Sequence, residues 1–280
     1  MPNTSQLKRL KKIAEFSAPL RLVIFFGALS VLWLPLALPI YWLLREDSNL
    51  ASIVTMGLLF VELLWFWQFW GRFVHEEHQI YTRYGLVRNS KNLREFGQGL
   101  AIGFWLCLGL FLTEALLGWI EIIQPSGNLI RIIIEGWLSA VGIALAEELL
   151  FRGWLLDELQ RDYSKKACIW GTAIAFAVAH FLKPVTEIMR TAVTFPALTL
   201  LGIALVLAKC KYGDRLGISI GLHAGLVWGY YIVNVGQLIE YSNQVPDWVT
   251  GIDGNPIAGV MGLLFLSGLT WIMSLKSSKL

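Results

Sequence analysis

Residues 144–159 read ALAEELLFRGWLLDEL and place two adjacent glutamates and an arginine inside an otherwise apolar stretch. The stretch has no proline and one glycine, so it predicts a continuous helix to about Leu159. On that helix Glu148 and Arg152 share a face, where a carboxylate and a guanidinium can pair. Glu147 is turned by about 100° from Glu148, so its carboxylate can point into a cavity as a general base. The alternative is one buried charge network that only fixes helix packing.

The sequence around this stretch is typical of a polytopic membrane protein. Of the 280 residues, 56% are hydrophobic and 15% are charged, which excludes a soluble domain. Stretches that are long and apolar enough to cross a bilayer lie near 20–44, 50–70, 97–119, 131–156, 167–183, 193–208, 216–236 and 257–275. The sequence therefore predicts an all-α membrane protein, a single bundle of about eight transmembrane helices.

The basic residues indicate the orientation of this bundle. With a cytoplasmic N-terminus, all but four of the 23 lysines and arginines fall in cytoplasmic segments. The exceptions are Arg45, Arg131, Lys183 and Arg190. We therefore expect both termini in the cytoplasm, a basic cytoplasmic segment at 1–19 and a transmembrane domain at 20–280.

Composition argues against several other classes of site. The net charge of +3 is too small to indicate nucleic-acid binding. The three cysteines have no CxxC spacing, so neither a disulfide framework nor a thiolate metal site is expected. HEEH at 75–78 has the i, i+3 histidine spacing of some metal sites. The basic residues around it favour an ordinary cytoplasmic loop or an interfacial helix.

Ionisable side chains inside the predicted spans need a partner, a cavity or a purpose, because each costs about 2.5–3.5 kcal/mol on insertion. They are Glu62, Glu114, Glu135, Glu147, Glu148, Arg152, His180 and His223. The first three could act as proton-relay acids of a transporter, or could simply form interhelical hydrogen bonds. A transporter favours two halves with broken helices, and no such repeat is visible.

Two histidines lie in later predicted spans. FAVAH at 176–180 puts Phe176 one turn from His180, where the ring can form the wall of a pocket around the imidazole. His223 lies opposite glycines at 217, 221, 225 and 229, a stripe that lets a neighbouring helix approach closely. A lone membrane histidine is more often a packing residue. However, Glu147, His180 and His223 are each expected roughly 12–20 Å below the cytoplasmic boundary, so they can converge.

Taken in order, these motifs resemble the CAAX protease and bacteriocin-processing (CPBP) family, which includes type II CAAX prenyl endopeptidases and "abortive infection" membrane proteins. EELLFR at 147–152 resembles EExxxR, FAVAH resembles FxxxH, and His223 resembles the final histidine motif. The resemblance implies a CPBP-like core at about 131–236 and a glutamate-dependent intramembrane endopeptidase. It further implies that Glu147 and His180 activate the attacking water, that Arg152 pairs with Glu148, and that His223 stabilises the oxyanion.

The resemblance also implies the partners, which are membrane lipids and a membrane-anchored or lipidated protein or peptide substrate. The family has been described as zinc-dependent, and Glu147, His180 and His223 are a plausible zinc set. EExxxR is not the HExxH spacing, however, and Arg152 would oppose a cation, so we favour no metal. A bacterial cytoplasmic membrane is expected, although a thylakoid or other organelle membrane satisfies the same hydropathy.

One position departs from the family pattern. Prenyl endopeptidases usually have asparagine four residues after the last histidine, and here that position is Val227, which cannot donate a hydrogen bond. Trp228 lies about 140° round the helix from His223 and is a poor substitute. The alternative function is therefore a non-catalytic CPBP-fold membrane protein that binds, protects or scaffolds other membrane proteins.

Overall fold

The computed structural model describes residues 4–125 and 127–275, and 78% of the protein is helical. The chain divides into two compact units, residues 1–83 and 84–280. Of the basic residues used to predict orientation, Lys276 and Lys279 lie outside the described residues, as does the beginning of the predicted segment at 1–19.

The first unit is built around two long antiparallel helices. Its elements are α1 (Thr4–Ile13), α2 (Ala18–Leu43), α3 (Ser48–Phe73) and most of α4 (Ile80–Tyr84). Helix α3 begins after Asp47, whose carboxylate accepts the backbone N–H of Leu50 at 2.9 Å. The two long helices pack through buried aromatic rings such as Phe25 and Phe66, whose centroids are 4.7 Å apart.

The HEEH segment is a loop between α3 and α4. Its glutamates form ion pairs, Glu76 with Lys11 and Glu77 with Arg83. In the part of the chain that the structure describes, no three histidine, cysteine or acidic side chains are grouped to hold a metal ion. The sequence interpretation of this segment as an ordinary loop is the one that the structure supports.

The second unit contains the remaining elements. They are α5 (Ser90–Leu116), β1 (Ile120–Ile122), α6 (Leu129–Glu148), a π-helical segment (Leu149–Leu155), α7 (Leu156–Gln160), α8 (Lys165–Ala179), α9 (Val185–Thr191), α10 (Phe195–Lys211), α11 (Gly217–Val235), β2 (Ile239–Tyr241), α12 (Asp247–Thr250) and α13 (Val260–Ser274). Asn89 and Asn128 cap α5 and α6 by accepting the N–H of the third residue beyond them. The short antiparallel pairing of β1 with β2 was not predicted, because three-residue strands leave little pattern in a sequence.

Six helical segments among the described residues are long and apolar enough to cross a membrane. They are Ala18–Leu43, Ser48–Phe73, Ser90–Leu116, Leu129–Gln160, Val185–Lys211 and Gly217–Val235. The chain is thus an integral, multi-pass membrane protein. The predicted count of eight and the orientation of the termini are not confirmed.

The stretches predicted at 167–183 and 257–275 form α8 and α13, which have 15 residues each. At 1.5 Å per residue each is only about 22 Å long.

The interior of the second unit is centred on α10 and α11. In the apolar parts of the spans that contain them, Val185–Lys211 and Gly217–Val235, 61% of the residues are buried. In the other candidate spans the share is 28% or less. Helix α11 packs along α5 and α6, while α10 packs against α8 and α13. Side chains on α10 and α11 therefore lie where they can meet those of α6 and α8.

The predicted glycine stripe on α11 is the surface on which α5 packs. A β-carbon added to Gly221 would lie 2.1 Å from the backbone oxygen of Phe96. In the opposite direction, a β-carbon added to Gly103 on α5 would lie 2.2 Å from the backbone oxygen of Leu222. The two backbones are therefore in direct contact, as small residues allow between membrane helices.

We expect Gly221→Ala to destabilise the protein by about 1–3 kcal/mol, because the added methyl must push α5 and α11 apart. Thermal unfolding in detergent, followed by tryptophan fluorescence, measures this. The matched control is Gly97→Ala on α5, where an added β-carbon has nothing within 4 Å. Equal unfolding temperatures for the two variants would contradict close backbone packing at the stripe.

Candidate active site

The site is built on the helix that runs from Leu129 to Gln160 without interruption. The predicted ion pair is present, with Arg152 Nη1 2.9 Å from Glu148 Oε1 and both side chains fully buried. A second guanidinium nitrogen, Nη2, donates to the backbone oxygen of Gly202 at 3.2 Å. The pair therefore joins α6 to the central helix α10.

His223 is hydrogen-bonded to the same carboxylate. Its Nδ1 lies 2.9 Å from Glu148 Oε1, and the ring is 4% exposed. A carboxylate accepts, so Nδ1 carries the proton and Nε2 presents a lone pair when the imidazole is neutral. Sequence reasoning assigned Glu148 to Arg152 alone, but the structure gives it both partners. Glu148 orients His223 much as a carboxylate orients the histidine of a catalytic triad.

The Glu147 carboxylate faces the other side of this imidazole. Its Oε2 lies 3.8 Å from His223 Nε2, too far for a direct hydrogen bond. The same oxygen is buried and makes no hydrogen bond to any described residue. A buried oxygen of this kind is suited to accepting a proton, because no donor in the described protein competes for it.

His180 and Phe176 complete the group. His180 follows the last residue of α8, and its Nδ1 donates to the backbone oxygen of Phe176 at 2.8 Å. The Phe176 ring is buried, with its centroid 4.6 Å from that of His180 and 5.9 Å from that of His223. Its face also receives the guanidinium of Arg152, whose Cζ is 4.3 Å from the centroid. Phe176 therefore holds three polar groups in place and keeps water from the ion pair.

The six predicted site residues thus lie together, and of the predicted pairs only that of Glu147 with His180 differs. Within the described chain no ion pair of 4.0 Å or less joins His180 to either glutamate. The glutamate that was expected beside His180 lies beside His223 instead. The contacts agree with a common site, while the catalytic role of each residue stays a prediction.

A cavity of about 250 Å³ opens beside the two histidines. Its walls are mainly apolar side chains from α5, α10, α11 and α13, including Leu110, Leu201, Leu226, Val227, Phe265 and Leu266. Tyr230 and Asn255 are among the few polar residues that line it. The cavity can bind an apolar group next to His180 and His223.

Val227, the residue that departs from the family pattern, lines this cavity together with His223. It gives the site no hydrogen-bond donor at that position. The Trp228 indole N–H donates to the backbone oxygen of Ile133 at 3.0 Å. This agrees with the expectation that Trp228 is a poor substitute, because its donor is used in helix packing.

Sequence reasoning missed two further features of the site. Leu149–Leu155 is π-helical, and it begins directly after the glutamate pair. Lys209, buried on α10, donates from Nζ to the backbone oxygen of Arg152 at 2.6 Å. The predicted continuous helix gave no sign of a π segment, since propensity does not separate π from α turns. In the sequence, a lysine near a predicted cytoplasmic boundary indicates only which side of the membrane that boundary faces.

Whether the site binds zinc stays a prediction. A catalytic zinc site needs three protein donors within about 2.3 Å of one point. Across residues 4–125 and 127–275 no three side chains of His, Cys, Asp or Glu are so grouped, and Glu147, His180 and His223 are no exception. No catalytic step is therefore assigned to a metal.

The other acids of the predicted spans have separate surroundings. Glu135 pairs with Arg131 at 2.7 Å on an exposed part of α6. Glu114 is fully buried, and neither carboxylate oxygen is hydrogen-bonded to a described residue. Glu62 has one such oxygen, Oε2. Among the described residues, no hydrogen bond or ion pair joins Glu114 or Glu135 to the site.

The helical segments and the buried glutamate, arginine and histidine cluster define a multi-pass membrane protein with a candidate hydrolytic site. Residues 129–229 match the family model described as type II CAAX prenyl endopeptidase Rce1-like. This part of the chain is thus similar to that family of proteases, which is consistent with the CPBP family that the motifs resemble. The matched range contains all six site residues. No curated protein and no solved structure shows significant similarity to the chain.

We expect Arg152→Met to destabilise the protein by about 3–5 kcal/mol, because the Glu148 carboxylate stays buried without its cation. The matched control is Arg131→Met, which removes an i, i+4 pair from the exposed surface of the same helix and should change stability little. Both are measured as thermal unfolding in detergent. If Arg131→Met costs as much as Arg152→Met, burial of the inner pair is not what makes it important.

Proposed function

We propose that this protein is an intramembrane endopeptidase that hydrolyses a peptide bond in a membrane-associated or lipidated protein. The observation that carries the proposal is the Glu147 carboxylate, whose buried Oε2 lies 3.8 Å from Nε2 of His223, a residue that lines the apolar cavity. The gap is too long for a direct hydrogen bond and suits a bridging water. The match of residues 129–229 to a protease family supports the same activity.

The attacking water is held by Glu147 Oε2 and His223 Nε2. Glu147 removes one proton as the water oxygen bonds to the carbonyl carbon of the scissile peptide. The C–N bond then breaks, and the proton passes from Glu147 to the leaving nitrogen. The Nδ1–H of His180 stays hydrogen-bonded to the Phe176 carbonyl, so that Nε2 faces the substrate. Glu148 and Arg152 hold His223 in the tautomer that this reaction needs.

The proposed substrate follows from the walls of the cavity. An apolar group next to the scissile bond would displace water from the leucine-rich surface, which favours binding. A substrate anchored in the same membrane would reach the cavity without leaving the lipid phase. We therefore propose membrane-anchored proteins or peptides as substrates, membrane lipids as the surrounding partners, and a reaction that needs no metal.

We expect Glu147→Gln to lower the cleavage rate by about 10²–10⁴-fold, since an amide cannot accept the proton of the water. Purified protein is assayed on prenylated and unprenylated membrane peptides, with cleavage products identified by mass spectrometry. Glu135→Gln on the same helix is the control and should cleave at the wild-type rate. Full activity in both Glu147→Gln and His180→Ala would refute the assigned site.

Two further arms of this assay separate the remaining alternatives. Loss of activity with a chelator and its recovery with zinc would overturn the metal-free reaction. A wild-type protein that cleaves none of the peptides would favour the non-catalytic alternative, a membrane protein that binds, protects or scaffolds other membrane proteins.

Val227 is the observation that favours the non-catalytic alternative, because the cavity receives no donor from that position. If the protein is a peptidase, Val227→Asn should raise the rate constant for cleavage, by as much as about 10²-fold, through a new hydrogen bond to the oxyanion. The assay is the one used for Glu147. Val227→Leu, which is apolar, is the control. A folded Val227→Asn variant with unchanged or lower activity would contradict an oxyanion at this place.

A further inference from the structure

The π-helical segment leaves one backbone carbonyl of the site without its α-helical donor. In an α-helix the N–H of Leu156 would bond to the oxygen of Arg152, four residues earlier. Here that N–H bonds to the oxygens of Phe151 and Gly153. The Arg152 carbonyl therefore does not receive the N–H that an α-helix would give it, and it accepts a hydrogen bond from a donor on another helix.

Lys209 is placed to be that donor. Its Nζ lies 2.6 Å from the Arg152 oxygen, and the residue is 6% exposed. Lysine is almost never buried without a partner, so its position inside the second unit is not explained by packing alone.

Helix α10 thus holds Arg152 at two points. The Gly202 oxygen accepts from the guanidinium, and two turns further along the same helix Lys209 donates to the Arg152 backbone. At Gly202 an added β-carbon would lie 2.8 Å from the Cα of Ala173, so α8 packs directly against α10 there. The position of Arg152 is fixed at both its backbone and its side chain.

We propose that Lys209 is a positioning residue of the site: by donating to the Arg152 carbonyl it holds the π-helical turn, and through Arg152 and Glu148 it fixes the imidazole of His223. The inference rests on the proposed function, since the group it positions is the proposed water-binding histidine. Lys209 itself touches neither the cavity nor the proposed reacting atoms.

The experiment compares Lys209→Met with Lys211→Met in the full-length protein. Lys211 lies on the same helix and donates to the backbone oxygen of Ile272 at 2.8 Å, away from the site. With ¹⁵N-histidine labelling, only four side chains contribute, and the Nδ1–H proton of His223 is assigned by its loss in His223→Gln. We expect this hydrogen-bonded signal to persist in wild type and in Lys211→Met, and to be lost or to exchange rapidly in Lys209→Met.

Cleavage kinetics provide the second readout. Lys209→Met should lower kcat by up to about 10²-fold through misplacement of the site, with KM changed less than threefold, while Lys211→Met should behave as wild type. A lysine that only stabilised the fold would lower the amount of folded protein and the unfolding temperature, but would leave the kcat of the folded fraction unchanged.

Two outcomes would overturn the inference. One is a folded Lys209→Met protein that keeps the wild-type His223 signal, and the other is one that keeps the wild-type kcat. If Lys209→Met does not fold, Lys209→Gln replaces the ammonium with a neutral polar group. It is then compared with Lys211→Met by the same histidine signal and the same kcat measurement. The histidine signal tests the positioning role even if wild type cleaves nothing, so failure of the proposed function is distinguishable from failure of this inference.

Discussion

The carboxylate of Glu148 and the guanidinium of Arg152 meet inside the protein with no exposed surface on either side chain. Two ions removed from water are stabilised only when their geometry is good and their other polar atoms find partners. The surrounding structure supplies several of those partners, namely the Gly202 carbonyl, the Phe176 ring and the His223 imidazole, while Glu148 Oε2 and Arg152 Nε bond no described residue. The ion pair is therefore the constraint that brings α6, α8, α10 and α11 to one point.

This arrangement separates two glutamates that are adjacent in sequence. Glu148 is neutralised by Arg152 and hydrogen-bonded to His223, so its carboxylate is committed to holding other groups. Glu147 has a buried oxygen that no described residue bonds. The chemical difference between the two acids is set by their surroundings, and both lie against His223, which lines the apolar cavity.

The sequence alone predicted the parts of this site that depend on helical spacing. Glu148 and Arg152 are four residues apart on a helix without proline, and Phe176 is one turn from His180, so these pairs followed from periodicity. Periodicity also predicted that α11 would pack through its glycines.

The partner of Glu147 could not be predicted this way, because it depends on how α6 and α11 rotate against each other. The π-helical segment and the buried Lys209 likewise depend on tertiary contacts, which override local propensity. The predicted count of eight spans is not confirmed, because α8 and α13 are only 15 residues long and hydropathy does not show helix length.

The contact between α5 and α11 has a mechanical consequence for His223. Backbone oxygens of each helix fit into the spaces left by glycines of the other, at several successive turns. Sliding α11 along its axis by one residue would carry those oxygens onto α-carbons that bear side chains, so axial translation is blocked while a small tilt is not. Main-chain contacts therefore set the axial position of the His223 imidazole relative to α5. A slide of α11 along α5 is therefore not expected to admit a bulky substrate, and we expect the opening motion in α10 and α13, which also line the cavity.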